Sequence, residues 1–495
     1  MIKRFIAFLL VTFMTLCMLV GCYGEADLSG RVTDLHGRVI RFQILTQTST
    51  NSSDANWQKA LEGFKMIEEK YNCKIEVVKC DMESNGDSRI LTSILAGEPI
   101  ADILVQDAQT FYSRYGAGLL EDLSALKVFD FDSENSPHPP WGIAAKVNGD
   151  YYSYTNDDGG AEMCFTTVVV YNKKLLEEYV PQYANMPWTL YKSGNWTWDK
   201  FYEICDAFNR AVKSYPDMTA LYDGSGTAYK AMLVTGGTDW LAYNEDGDII
   251  FNARDKKAQD ILNKYKSYVQ KGTIMLGPNI NGGLNNDFDS LSGCAEGYSF
   301  KQGKAAFAIA TFNNAYYWDG MMSYSTQQSV KDNMGVLPLP KWDKDDDYQT
   351  IYPLMVRGTS IPAGLDKPNE VATILNAIFN ETDGHYLNGY VEGEKSYIDQ
   401  WYAPTLTAKM GKQNREVMEK LYSDFQNHKI TTYVGDLGSL TSPDVMYGFN
   451  DEGVPTGWYS KYVYEIAKGN IAQSAALDAV EDRFTKILKS LTTIR

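Results

Sequence analysis

The sequence predicts an α/β protein built on largely parallel sheets, and two observations carry this prediction. Short apolar runs of strand length alternate with amphipathic runs of helix length in the first part of the chain, and a second series of the same kind follows. Strands that alternate with helices are joined by right-handed crossovers, which place successive strands side by side in parallel. Ligands of such sheets bind beyond the carboxyl ends of the strands, so residues at those ends are candidates for a functional site.

The first series opens the globular part of the chain. Its clearest element is a helix over 56–71, because Trp57, Leu61, Phe64 and Ile67 repeat with helical spacing. The other predicted elements of this series are strands at 41–46, 74–78 and 102–105 and helices at 90–96 and 110–119.

The second series begins with a predicted strand at 166–171. A helix follows at Thr197, whose side chain is suited to cap its first turn, and the adjacent Trp198 is interpreted as structural. Residues 244–248 lie between two short apolar runs and are predicted to form a hairpin turn. A calcium-binding loop is the alternative there, but the spacing and the terminal glutamate of an EF-hand are missing.

The N-terminus resembles a bacterial lipoprotein signal. Lys3 and Arg4 precede an apolar stretch over 5–20, and the run Leu19-Val20-Gly21-Cys22 resembles a lipoprotein processing site. We expect residues 1–21 to be a signal peptide that is removed, and lipidation of Cys22 to anchor the protein on the extracytoplasmic face of the cell membrane. An uncleaved anchor is the alternative, although the stretch is short for a membrane-spanning helix.

Residues 22–38 are predicted to be a tether, since they mix glycines and charges without a sustained apolar period. The rest of the chain is long enough for two domains.

Composition narrows the class of protein further. The formal net charge of −17 argues against a nucleic-acid partner, whose phosphates require a basic surface. The 34 tyrosines and 10 tryptophans are a large number of rings that must be buried or used for binding. Beyond Cys17 and Cys22 an odd number of cysteines remains, without metal-ligand spacing, so neither a disulfide framework nor a metal site is predicted, and no cofactor is expected.

An enzyme is not expected. The chain has only 4 histidines, and it lacks the sequence motifs of α/β-hydrolases and of zinc proteases. With 63 acidic residues, chance pairs of carboxylates are unavoidable, and no catalytic motif accompanies any pair that would suggest a glycosidase.

Seven segments, taken in order, resemble the extracellular solute-binding proteins of ABC importers, family 1, which includes maltose-type and oligosaccharide-binding lipoproteins. The resemblance covers nearly the whole chain after the predicted signal peptide. The segments are IADILV at 100–105, GLLEDL at 118–123, VYNKKL at 170–175, WTWDKF at 196–201, FKQGKAAF at 300–307, GVLPLP at 335–340 and AALDA at 475–479.

The resemblance implies a type II periplasmic-binding-protein fold, with two lobes, a hinge and a ligand cleft between the lobes. On this basis lobe one is predicted to hold residues 39–153 and 305–353, and lobe two residues 154–304 and 354–495. The implied function is capture of a carbohydrate by a monomeric protein that delivers it to the permease subunits of an importer. A surface glycan-binding lipoprotein without a transporter, or a binding protein for another solute such as a peptide, remains open.

Ligand-binding residues are predicted where aromatic rings and short polar side chains meet at strand ends or glycine-rich loops, because sugars offer apolar faces and hydroxyls. Three of the predicted positions could instead have a purely structural role. Trp57 suits a core position, Asp107 a solvated loop, and Arg357 a salt bridge at the hinge, although its guanidinium also suits an acidic sugar. The predicted ligand-binding set is Trp57, Gln106, Asp107, Trp240, Phe312, Asn313, Tyr316, Arg357 and Trp458.

Trp240 is the strongest of these candidates, because the glycine-rich run before it allows close approach of the backbone to a ligand. We expect replacement of Trp240 by alanine to weaken binding without unfolding the protein.

Overall fold

The fold is known from a computed structural model of the chain. Many segments that join the elements, the predicted signal peptide and Cys22 lie outside the described residues. The described residues are 31–44, 55–80, 85–106, 111, 114–115, 117–129, 131, 146–147, 150–154, 167–223, 226–244, 249–276, 300–311, 333–349, 351, 358–382, 411–426 and 457–492.

The strands of the described part are short, and most of them pair with strands distant in the sequence. They are β1 (Arg38–Ile44), β2 (Cys73–Lys79), β3 (Leu104–Gln106), β4 (Lys146–Val147), β5 (Asp150–Tyr151), β6 (Thr167–Asn172), β7 (Thr219–Tyr222), β8 (Leu241–Tyr243), β9 (Ile249–Phe251), β10 (Ile274–Met275), β11 (Ala305–Thr311), β12 (Met334–Leu337) and β13 (Gly358–Ser360).

The described part of the chain contains the following α-helices. They are α1 (Ala55–Tyr71), α2 (Asn85–Leu95), α3 (Lys173–Tyr179), α4 (Met186–Lys192), α5 (Trp198–Ala211), α6 (Thr227–Thr235), α7 (Lys256–Gln270), α8 (Pro368–Asn380), α9 (Lys412–Gln426), α10 (Tyr464–Lys468) and α11 (Gln473–Thr492).

Lobe one is built on the predicted alternation of strands and helices. Strands β1 and β2 are parallel, and β1 also contacts the chain before β3 through a parallel bridge between Phe42 and Ile103. Strand β13 closes this group by pairing antiparallel with β3. Helices α1 and α8 pack against these strands, and their apolar side chains, such as Phe64 and Leu375, form one core with Phe42 and Ile103.

Lobe two contains a five-stranded sheet in the order β10, β7, β11, β6 and β12. Strands β10, β7 and β11 are mutually parallel, whereas β6 runs antiparallel to both of its neighbours. Every residue of β6 is buried, which is typical of a central strand covered on both faces. Helix α5 packs on the sheet, where the Phe201 and Phe307 rings meet edge to face at 5.0 Å.

The prediction that residues 305–353 belong to lobe one is wrong for the described part of that range. Strand β11 lies between β6 and β7 in the lobe two sheet, with Ile309 opposite Val169. Residues 358–382, which were assigned to lobe two, instead contribute β13 and α8 to the sheet and core of lobe one. The second crossing between the lobes therefore lies between Ile351 and Gly358, after β12 rather than before β11.

The described residues that flank the first two crossings are paired on both lobes. On the lobe one side, Tyr154 and Thr359 exchange backbone hydrogen bonds of 2.8 and 2.9 Å. On the lobe two side, the Thr167 N–H donates to the Ile351 carbonyl at 3.0 Å. The same two chain segments are therefore paired before and after they pass from one lobe to the other.

Two local predictions are confirmed in lobe two. Thr197 caps α5, since its side-chain oxygen accepts the Lys200 N–H. Strands β8 and β9 pair antiparallel, as the predicted hairpin requires, although residues 245–248 of its turn lie outside the described part. Cys73, Cys80 and Cys205 are buried, and they form no disulfide within the described residues.

Candidate ligand-binding site

Trp240 lies inside lobe two, at the start of β8. Helix α6 ends at Thr235, and the chain then turns through Gly237, whose positive φ of 66° suits a residue without a side chain. The Trp240 side chain is 0% exposed, and its indole Nε1–H has no hydrogen-bond acceptor among the described residues. Buried donors in folded proteins are nearly always paired, so this N–H stands out among the polar groups of lobe two.

Trp458 comes from the far end of the chain to meet Trp240. The two indole rings have centroids 6.4 Å apart with an interplanar angle of 20°. Phe251 contacts both of them edge to face, at 6.1 Å from Trp240 and 5.3 Å from Trp458. Trp458 is also 0% exposed. The structure therefore brings together two of the residues predicted to bind ligand, in a group of rings that we call the lobe two aromatic cluster.

Two tyrosines extend the lobe two aromatic cluster toward the N-terminus of α6. The Tyr459 ring lies edge to face with Trp240 at 5.8 Å and with Tyr229 at 5.7 Å. Burial raises the pKa of the Tyr229 hydroxyl, and the nearby Asp239 carboxylate raises it further. This hydroxyl therefore remains protonated at neutral pH and is suited to hydrogen bonding.

Asp223 follows the carboxyl end of β7 and contacts a third tyrosine, Tyr265. Its Oδ2 atom accepts the Ala228 N–H of α6 at 3.2 Å and the Tyr265 hydroxyl at 2.9 Å. The Tyr265 ring in turn lies 5.5 Å from the ring of Tyr229. Rings, tyrosine hydroxyls and carboxylates thus meet beyond a strand end, which is the combination that binds the apolar faces and hydroxyls of a sugar.

Gly226 permits the close packing of this region. It has a positive φ of 76°, and a Cβ atom there would lie 3.0 Å from Cδ1 of Tyr459. The absence of a side chain at this position lets the loop before α6 lie directly against the Tyr459 ring.

The two predicted ligand-binding residues of lobe one that the structure describes have structural contacts. Trp57 is half-buried at the start of α1 and packs against the lobe one core. Gln106 is 1% exposed at the end of β3, where its amide is hydrogen-bonded to Arg114 and to Ser360. The lobe two aromatic cluster contains neither side chain.

The remaining predicted site residues lie outside the described residues. These are Cys22, Asp107, Phe312, Asn313, Tyr316 and Arg357.

Sequence reasoning missed Asp223 and Tyr229. The strand-end rule that selected Gln106 also selects Asp223, but the short strand β7 was not recognised from its sequence. Tyr229 carries no local signal, because its place beside Tyr459 depends on tertiary packing.

Two general features of the described residues bear on function. They contain no group of three or more His, Cys, Asp or Glu side chains placed to hold a metal ion. Among the helices that the structure describes, none is both long enough and apolar enough to cross a membrane.

Solved structures with the same fold come from several bacteria. The sugar-binding protein MalE of Xanthomonas citri shares 14% identity and a TM-score of 0.58, over 92% of this chain and 98% of that one. A family 1 extracellular solute-binding protein of Bifidobacterium longum subsp. infantis shares 16% identity and a TM-score of 0.56, over 91% and 100%. An ABC substrate-binding protein of Listeria monocytogenes, in complex with cycloalternan, shares 13% identity and a TM-score of 0.52, over 93% and 100%.

These likenesses show the fold, which is the two-lobed periplasmic-binding-protein fold with a hinge and an interlobe cleft. A comparison with curated protein sequences finds no match. The sequence profile of bacterial extracellular solute-binding proteins matches residues 47–382, which is more than half of the chain. The chain therefore belongs to the family of bacterial extracellular solute-binding proteins, the solute-capturing components of ABC transporters, which are not enzymes.

Proposed function

We propose that the protein captures an oligosaccharide in its interlobe cleft and delivers it to the permease subunits of an ABC importer. The observation that carries the choice of ligand is the indole N–H of Trp240 within the lobe two aromatic cluster, which has no acceptor in the described part of the chain. A ligand hydroxyl would accept a hydrogen bond from this donor. The structural relatives that bind sugars, MalE and the protein in complex with cycloalternan, support the same class of ligand.

The physical chemistry of the lobe two aromatic cluster favours a sugar over a peptide. Indole and phenol rings pack against the C–H faces of pyranose rings, and carboxylates accept hydrogen bonds from sugar hydroxyls. A peptide ligand would require partners for its amide groups and for its charged termini. Two tryptophans, two tyrosines and the carboxylates of Asp223 and Asp239 suit the hydroxyl-rich ligand better.

Five positions outside the described residues complete the proposed ligand set. Asp107 follows β3 directly in the sequence, and Arg357 directly precedes β13. Phe312, Asn313 and Tyr316 follow β11 directly. Trp57 and Gln106 stay in the proposed set as predictions from sequence, and their described contacts lie within lobe one.

The proposed location rests on the N-terminal sequence. Removal of residues 1–21 and lipidation of Cys22 would hold the protein at the outer face of the cell membrane as a monomer, with the predicted tether over 22–38 between lipid and fold. Mass spectrometry of the protein purified from membranes tests this proposal. A diacylated N-terminal Cys22 supports it, and an intact residue 1 contradicts it.

The ligand class is tested by calorimetric titration of the protein that lacks residues 1–22. The panel holds maltotriose, cycloalternan and a uronic-acid trisaccharide, with tri- and tetrapeptides as the contrasting class. Saturable binding of one sugar series supports the proposal. Binding of peptides with no heat from any sugar would assign the protein to a different solute.

A further inference from the structure

Gln106 is predicted from the sequence to bind ligand, and in the structure its side-chain amide is hydrogen-bonded inside lobe one. It is 1% exposed at the last position of β3. Its Oε1 atom accepts a hydrogen bond from Nη1 of Arg114 at 3.1 Å, and its Nε2 atom donates to the hydroxyl of Ser360. Both ends of the amide therefore have protein partners, and Arg114 itself is 0% exposed.

Ser360 carries this chain of hydrogen bonds to the segment that enters the first crossing. It belongs to β13, the first strand after the second crossing. Its hydroxyl accepts from Gln106 and donates to the carbonyl of Tyr152 at 2.5 Å. The Ser360 hydroxyl thus connects the end of β3 to Tyr152, which precedes the first crossing, while Ser360 itself follows the second crossing.

The chain of contacts closes on itself through two rings. The Tyr152 ring meets the Tyr115 ring edge to face at 4.8 Å, and Tyr115 is the neighbour of Arg114 in the sequence. Arg114, Gln106, Ser360, Tyr152 and Tyr115 therefore form a closed loop of side-chain and backbone contacts, which we call the hinge-base loop.

The hinge-base loop reinforces the backbone pairing of Tyr154 with Thr359, next to the two crossings. Beside it, Ser153 Oγ donates to the Thr359 carbonyl at 3.2 Å, and Thr359 Oγ1 donates to the Tyr154 carbonyl at 2.5 Å. The segments 152–154 and 358–360 are thereby held against each other. The backbone ladder between β13 and β3 already joins residues 358–360 to β3, and the amide of Gln106 adds a buried side-chain link at the end of that ladder.

We propose that Arg114, Gln106 and Ser360 are positioning residues that hold the segments flanking the first and second crossings, 152–154 and 358–360, to the end of β3. By doing so they set the angle at which lobe two leaves lobe one in the ligand-free protein. This role goes beyond ligand capture, and it does not depend on which solute the cleft accepts.

Gln43 offers a matched control for Gln106. It is a buried glutamine of the neighbouring strand β1, with 0% exposure. Its Oε1 atom accepts the Val105 N–H at 2.8 Å, and its Nε2 atom donates to the Cys80 carbonyl at 3.0 Å. Gln43→Leu and Gln106→Leu each remove two buried hydrogen bonds of lobe one, but only the second removes a side-chain link to the segments that flank the crossings.

The experiment measures the distance between the lobes in the ligand-free protein that lacks residues 1–22. Spin labels are attached through non-canonical amino acids at Glu98 in lobe one and Lys213 in lobe two, both of which are exposed. Pulsed electron paramagnetic resonance then gives the distance distribution for the wild type, Gln106→Leu, Ser360→Ala and Gln43→Leu. Thermal unfolding of the same samples reports the loss of stability.

We expect Gln106→Leu and Ser360→Ala to shift or broaden the interlobe distance distribution, and Gln43→Leu to leave it as in the wild type. Ser360→Ala removes only one hydroxyl, so it serves as the test if Gln106→Leu does not fold. A wild-type distribution in the folded hinge-base variants overturns the proposal. An equal change in Gln43→Leu also overturns it, because general destabilisation would then explain the effect.

Discussion

The indole rings of Trp240 and Trp458 lie nearly parallel, with 20° between their planes and 6.4 Å between their centroids, in the interior of lobe two. Both were predicted to bind ligand from positions far apart in the sequence. Because both side chains are 0% exposed, they also contribute to the stability of the lobe. A test of their role in binding must therefore separate the loss of a ligand contact from the loss of packing.

The first prediction concerns stability at Trp240. The expectation from sequence, that Trp240→Ala spares the fold, must be revised, since truncation of a buried tryptophan costs about 3–5 kcal/mol. Trp240→Phe keeps most of the packing and removes an indole N–H that has no protein acceptor among the described residues. We expect it to cost less than Trp196→Phe, because the equally buried Trp196 donates to the Pro338 carbonyl at 2.9 Å.

Urea unfolding of the two phenylalanine variants checks this prediction. Loss of the Trp196 hydrogen bond leaves a buried carbonyl unpaired, which adds about 1–3 kcal/mol to the cost. A larger loss for Trp240→Phe than for Trp196→Phe would show that the Trp240 N–H has a protein partner.

The second prediction concerns Gly335, which lies in β12 opposite Tyr171 of β6. A Cβ atom at Gly335 would lie 2.2 Å from Cζ of Tyr171, and the buried Tyr171 ring is held by the sheet and by Phe307 at 6.1 Å. We expect Gly335→Ala to lower the free energy of unfolding by about 1–3 kcal/mol through overpacking.

A double-mutant cycle with Tyr171→Val checks the cause. The second substitution removes the clashing ring atoms, so Gly335→Ala is expected to cost less in that background. Equal costs in both backgrounds would rule out the contact with Tyr171 as the reason.

The third prediction concerns pH and Glu381, at the end of α8. Partial burial opposes ionisation of this carboxyl, but hydrogen bonds from Lys70 Nζ and from the Tyr71 hydroxyl, each 2.6 Å, hold its pKa below 4.5. A lowered folded-state pKa gives stability that is present above the unfolded value and is lost as the pH falls through the folded value. The contribution of Glu381 is therefore expected to disappear below about pH 4.5.

Unfolding of the wild type and Glu381→Gln at several pH values between 3 and 7 measures this contribution. The wild type is expected to be more stable near neutral pH, and the difference is expected to shrink as the solution becomes acidic. A difference that stays constant over this range contradicts the assignment.

The fourth prediction concerns the ion pair of Arg41 and Asp102 in lobe one. The Asp102 side chain is 4% exposed, and its oxygens accept from the backbone N–H of Arg41 at 2.7 Å and from Nη2 of Arg41 at 2.8 Å. We expect Asp102→Ala to cost about 3 kcal/mol, because it leaves a buried N–H and a partly buried guanidinium without this acceptor.

The solvated pair of Lys65 and Glu69 on α1 serves as the comparison. Its atoms are 3.9 Å apart and both side chains are more than 70% exposed. Glu69→Ala is expected to change stability by less than about 0.5 kcal/mol. Equal effects of the two alanine substitutions in thermal unfolding would contradict this account of Asp102.

Elements with strong local periodicity were predicted well from the sequence. The helix predicted at 56–71 is observed as Ala55–Tyr71, and the strand predicted at 166–171 is observed as Thr167–Asn172. Strand pairing was not predicted, because a local apolar run such as β11 does not specify which sheet it joins. That is why residues 305–353 were assigned to the wrong lobe.

The candidate site shows the same limit. The strand-end rule correctly placed Gln106 at the end of β3, but it gives a position and not the direction of a side chain. In the structure that side chain turns to Arg114 and Ser360. The glycine-rich loop before it pointed to Trp240, and the family resemblance pointed to Trp458. The contact between the two rings could not be predicted, because it depends on tertiary packing.

The central claim is that an oligosaccharide binds at Trp240, and calorimetric titration of Trp240→Phe with the tightest sugar of the panel tests it most directly. Loss of one ligand hydrogen bond, worth about 1.4 kcal/mol, predicts an affinity about ten times weaker than that of the wild type. Trp196→Phe, in which the lost indole N–H bonds to the protein, is expected to keep the wild-type affinity. Equal affinities of Trp240→Phe and the wild type would contradict the claim.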